Sequence, residues 1–166
     1  MKKIFLLFFF CFTFFANSNS QTTTNVGTEF WIAFPPNGSP WFLNLFISST
    51  FITNGSLYSV FPGVTQNFTV TPGIVTQLSV PVDVSLLGGI EEKGIHIVSD
   101  NPISVYGLNK GFATTDAFLA LPVNALGTDY RIITYKTSVA NQGTCFSIIA
   151  TTNGTSLTIY NHQTNS

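Results

Sequence analysis

The sequence predicts an all-β protein built as an antiparallel β-sandwich. Three observations lead there. Thr, Val, Ile, Phe, Ser, Asn and Gly dominate, which is strand-and-turn composition. Charged residues make up only 8% of the chain, too few to coat the outer faces of surface helices. Short apolar runs recur at close spacing with Asn-Gly and Pro-Gly words between them, the rhythm of a sandwich. The alternative architecture is a propeller-like repeat, in which the same rhythm builds blades.

The chain opens on an export signal. Lys2 and Lys3 precede an apolar run from Ile4 to Ala16, and Ser18 and Ser20 allow cleavage before Gln21; Ala16 and Ser18 allow a second cut before Asn19. The run is shorter than the roughly 20 residues that span a bilayer. Residues 1–20 are therefore expected to be removed, leaving no membrane span and a secreted or cell-surface product. Cys11 lies inside the apolar run, a poor position for lipid attachment. Only Cys145 remains after cleavage, so no intrachain disulfide forms, and without a pKa-lowering neighbourhood it reads as a small buried hydrophobe. The exported part keeps Lys93, Lys110, Arg131 and Lys136 as cations against seven acids. Nothing there resembles a phosphate-binding cluster, so nucleic acid is not an expected partner.

The first strand is expected at 29–34 (EFWIAF), where Phe30 and Ile32 alternate against Trp31 and Ala33, one set facing a core. Pro35-Pro36-Asn37-Gly38-Ser39-Pro40 reads as an ordered loop. Trp41 and Phe42 end it, either packing inward or forming a platform for a sugar or protein. Further strands are expected at 43–49, 57–61, 66–70 and 75–80, with Pro62-Gly63 and Pro72-Gly73 marking reversals. Asn54-Gly55 and Asn153-Gly154 read as tight type I′ hairpin turns. Glu91-Glu92-Lys93-Gly94 reads as a solvated turn.

Residues 95–98 and 103–108 read as a hairpin turning at Ser99-Asp100-Asn101-Pro102. Symmetric closure places Val98 opposite Ile103 and His96 opposite Val105, in a strand pair covered on both faces. A polar loop, 109–116, follows. A short helical turn can hide within 116–126, ahead of Gly127. The last strands are expected at 130–135, 145–151 and 157–160. A loose likeness between 46–58 and 145–160 points to a duplicated β unit. The expected organisation is thus a signal at 1–20, a β-sandwich module at 21–142, and the first hairpin of a second, truncated unit at 143–166.

Three separated words, Gly27–Phe34 (GTEFWIAF), Ser99–Asn109 (SDNPISVYGLN) and Thr114–Tyr135 (TTDAFLALPVNALGTDYRIITY), resemble the N-terminal domain of the IgG Fc-binding protein family. They stand in the family's order over most of the chain after residue 26. The resemblance implies a non-catalytic domain of a large secreted or surface protein, here a shortened bacterial relative. It supplies no ligand.

Reactive constellations are sparse. Asp100, Asp116 and Asp129 read as turn aspartates, although two of them converging would suit glycoside hydrolysis. No Cys or His cluster has zinc spacing, no Asp-rich loop suits calcium, and no cofactor motif is present. His96, between Ile95 and Ile97, reads as a hydrogen-bonded or edge histidine.

The expected function is a non-catalytic adhesion or ligand-recognition module, binding a protein or glycan outside the cell. Asn109, Lys110, Thr115 and Asp116, in the longest polar loop, are the candidate binding residues. The competing reading of that loop is a self-satisfied turn in which Asp116 accepts local backbone donors. The alternative functions are a carbohydrate hydrolase using paired aspartates and a structural spacer.

Overall fold

The computed structural model describes residues 24–37, 40–133 and 146–160. The export signal, Cys145, His162 and the segment 134–145 lie outside the described residues.

Among the described residues seven strands form: β1 (Gly27–Ile32), β2 (Pro40–Ser48), β3 (Thr53–Ser59), β4 (Val64–Val70), β5 (Thr76–Val80), β6 (Ile95–Gly111) and β7 (Thr115–Leu119). Two single 3-10 turns accompany them, η1 (Val82–Val84) between β5 and β6 and η2 (Val123–Ala125) after β7. The fold is all-β, and every ladder is antiparallel. Five of the expected strands appear at or near their expected positions, and η2 falls within 116–126, where a helical turn was expected.

The organising element is β6. Its first residues pair with β1 and β3, and its last with β2 and β7. One sheet therefore runs β4-β3-β6-β1 and the other β5-β2-β6-β7, with β6 common to both. This corrects the expected hairpin at 95–108: the chain does not reverse at 99–102. His96 faces Trp31 and Tyr58 instead of Val105, and Val98 faces Glu29 and Ser56 instead of Ile103.

The turn word became a bulge. Across it, Glu29 pairs with Val98 while Gly27 pairs with Ile103, so the extra β6 residues bow out of the ladder. Pro102 sits there without a ladder partner, where its missing N–H costs nothing. The bulge is held from the start of β3 and the turn before it: Asn101 N donates to Thr53 Oγ1 (2.8 Å) and Ser49 Oγ to the Pro102 carbonyl (2.8 Å).

Alternation survives the bulge. Ile95, Ile97, Ile103, Val105 and Asn109 are buried, while Val98, Asp100, Tyr106 and Lys110 are exposed. The even-numbered face is thus open, correcting the expectation of a strand pair covered on both sides. The odd-numbered face meets Phe30, Ile32, Leu45, Ile47, Leu57 and Phe68 in one core between the sheets. Phe30 and Ile32 are the inward set of β1, with Trp31 only partly buried.

The sheets approach each other along the β4 and β5 edges. The turn between them has Pro72 at its second position and Gly73 at its third, with φ +78° and Ile74 N donating to Thr71 O (3.1 Å). That is the backbone a type II turn requires. Gln66 Nε2 donates to Ser79 O (2.9 Å) and Thr76 Oγ1 to Thr69 O (3.0 Å), bridging the seam without a ladder. The sandwich is close to a barrel on this side.

Further expectations are corrected. Asn54-Gly55 lies inside β3, between β4 and β6, not at a turn. Trp41 and Phe42 belong to β2, not to the loop before it. The loop expected at 109–116 is mostly strand, closing the β6–β7 hairpin. Residues 130–133, 146–151 and 157–160 have strand-like composition but no ladder among the described residues. Ile133, Phe146, Ile148, Leu157 and Ile159 lie exposed, because a strand forms only where another edge accepts its N–H and C=O groups. Asn153-Gly154 does turn, with Gly154 at φ +75°, and joins no paired strands among the described residues.

Candidate binding surfaces

The β6–β7 hairpin gathers all four candidate residues. Asn109 pairs with Asp116 and Lys110 with Thr115, and Gly111 N donates to Thr114 O (2.8 Å) to close the turn. The pleat puts Lys110 and Thr115 on one face of the hairpin and Asn109 and Asp116 on the other. Lys110, Thr115 and Asp116 are exposed, whereas Asn109 is buried. Asn109 Nδ2 donates to Pro35 O (2.8 Å), Asn37 Nδ2 donates to Asn109 O (2.9 Å), and Thr114 Oγ1 donates to Asn37 Oδ1.

Asn109 therefore clamps the 35–37 loop to the hairpin. Sequence spacing could not separate it from Lys110, because its partner lies more than seventy residues away. Asp116 accepts no hydrogen bond from the described residues, so the self-satisfied turn is not what forms. Phe42, opposite Lys110 on β2, is half-exposed and adds an apolar border. Asn109→Ala removes the donor to Pro35 and is expected to lower stability by about 1–3 kcal/mol, the usual effect of orphaning buried polar groups. Urea unfolding measures it.

The outer face of the other sheet is mostly polar. Trp31 and His96, cross-strand partners, stack at 4.3 Å with an interplanar angle of 13°. His96 Nε2 lies 2.9 Å from Glu29 Oε1, which agrees with the expected hydrogen-bonded histidine. Asn54, Ser56, Asn67, Thr69, Val98 and Asp100 line an open groove beside this stack.

Glu91 organises the 87–93 loop. Its Oε2 meets Lys93 Nζ at 2.8 Å, while Oε1 accepts from Leu87 N (2.6 Å) and Gly88 N (2.8 Å). The Lys93 hydrogen bond, then those of Gly88 and Leu87, pull its pKa down to about 2. A depressed pKa means that the ionised form favours the folded loop. That contribution is complete above the ordinary value of 4.5 and is lost as pH falls through about 2. An NMR titration should give a Glu91 midpoint near 2, and Lys93→Ala should raise it.

The carboxylates do not make a hydrolytic pair at Asp100 and Asp116. Asp100 lies in the β6 bulge, whereas Asp116 pairs with Asn109. That stretch of β6 runs about 30 Å at roughly 3.3 Å per residue. Glycosidase carboxyls stand about 5–9.5 Å apart. Among the described residues no three His, Cys, Asp or Glu side chains gather as metal ligands. No helix among them is long and apolar enough to cross a membrane.

The family model described as IgGFc binding protein matches residues 116–165, from the start of β7 onward. A human IgGFc-binding protein is 29% identical over 105 residues, covering 63% of this chain and 2% of that protein. The chain thus spans a small fraction of this curated relative's length. Among solved structures, the crystal structure of Thermotoga maritima 1070 aligns with a TM-score of 0.37 and 17% identity, over 61% of this chain and 98% of that one.

Proposed function

From its kinship with the IgG Fc-binding protein family, we propose that this chain is a non-catalytic recognition module of an exported protein. Its ligand is a protein or glycan outside the cell, and its contact surface is the β6–β7 hairpin. The observation that carries the reading is the division of labour in that hairpin. Asn109, Asn37 and Thr114 fix its base, Lys110 and Thr115 are displayed on the outer face, and Asp116 is exposed on the opposite face. A rigid base with free polar tips limits the ordering cost of binding. Lys110 and Asp116 lie on opposite faces of the hairpin, so a partner of mixed charge meets both by gripping its edge.

The test is surface plasmon resonance of the exported chain against immobilised extracellular proteins, IgG Fc included, and glycoproteins. At least one should bind, and Lys110→Ala with Asp116→Ala should weaken that binding roughly tenfold or more, equivalent to about 1.4 kcal/mol. Silence across the panel favours a structural spacer. Binding indifferent to both substitutions moves the contact surface elsewhere.

A further inference from the structure

We infer that the outer face of the β4-β3-β6-β1 sheet carries a second binding site, distinct from the hairpin, for a neutral oligosaccharide. The site is the groove lined by Asn54, Ser56, Asn67, Thr69, Val98 and Asp100, with a volume of about 560 Å³. This lies within the range of small-molecule sites, about 300–1,000 Å³.

The topology explains the groove. Ser56 pairs with Asn67 on one side and Val98 on the other, so one row across three strands carries short or flat side chains. The adjacent row holds Asn54 and Thr69, and the β6 bulge sets Asp100 at the rim. Tyr58, two residues beyond Ser56 on the same face, lies about 7 Å along β3 and is half-exposed. Behind it His96 stacks on Trp31 and is engaged by Glu29.

The groups on offer match sugar hydroxyls, which both donate and accept. Thr69 Oγ1 donates to Asn54 Oδ1 at 2.8 Å, leaving Asn54 Nδ2 without a bond to the described residues. Ser56, Asn67 and Asp100 make no side-chain hydrogen bonds to the described residues. The groove thus presents amide donors, a hydroxyl and a carboxylate acceptor; Tyr58, outside its lining but on the same face of β3, adds a half-exposed aromatic ring nearby.

Other ligand classes fit less well. The outward residues of this sheet include Glu29 and Asp100 but no Lys or Arg, so phosphorylated or sialylated ligands meet repulsion without a cation. An extended peptide has no edge to join, because β3 is paired on both sides here.

Side-chain amide signals of Asn54 and Asn67 in ¹H–¹⁵N spectra of the exported chain provide the readout. Titration with cellotetraose, chitotetraose, mannotetraose and lacto-N-tetraose should shift them for at least one sugar. Asn67→Ala and Asp100→Ala should each weaken that binding roughly tenfold, about 1.4 kcal/mol, and Ser56→Phe should abolish it by filling the groove. Lys110→Ala with Asp116→Ala should leave it unchanged, which separates this site from the hairpin. Silence with all four sugars overturns the proposal. So does binding that survives Ser56→Phe in a folded variant, or preference for a sialylated analogue.

Discussion

Replacing Gly55 by valine is expected to destabilise the protein by about 3 kcal/mol or more, toward the upper end of overpacking effects. Gly55 is central in β3, paired with Phe68 on β4 and Ser99 on β6. A Cβ there would overlap the Phe68 ring and approach the Val98 carbonyl oxygen to 2.6 Å. The ring has little room, since Phe68 belongs to the core, and the carbonyl is backbone. Relief requires the β3–β6 ladder to separate locally. Urea unfolding of Gly55→Val beside Gly55→Ala should show graded loss, with valine the worse. An unchanged midpoint for both would mean that Gly55 is not enclosed between these strands.

Phe30→Ala is expected to cost about 3–5 kcal/mol, the range for truncating a buried phenylalanine. Phe30 is fully buried and pairs in register with Ile97, which also contacts the interior through its pairing with Leu57. Removing the ring leaves a cavity between sheets that share β6, so neither sheet can close it without shifting the other. Trp31→Ala is the control. Its side chain is only partly buried and stacks on His96 at the surface, so a much smaller loss is expected. Comparable losses at both positions would contradict the assignment of β1's inward face.

These expectations show how far local pattern reaches in this chain. The alternation of Phe30 and Ile32 against Trp31 predicts a half-buried strand, and the structure supplies one. Pro62-Gly63 and Pro72-Gly73 predict reversals, and the chain reverses there. Gathering Lys110, Thr115 and Asp116 at one hairpin was legible in the run of polar residues. The separate role of Asn109 was not, because it depends on the carbonyl of Pro35 and the amide of Asn37. The groove beside Ser56 was equally invisible: its lining comes from three strands brought together by pairing.

Sequence alone determined the composition of the faces: which residues seek a core, which tolerate water, and that the backbone is extended. Tertiary structure decided what the ambiguous words mean. Ser99-Asp100-Asn101-Pro102 has the chemistry of a tight turn, yet becomes a bulge in an uninterrupted strand, because β1, β2 and β3 offer longer ladders than the two flanks offer each other. Asn54-Gly55 has the chemistry of a hairpin tip, yet becomes the thin place under Phe68. Turn propensity is a local energy, whereas strand pairing is settled between distant segments, and here the distant hydrogen bonds and shared core outweigh it.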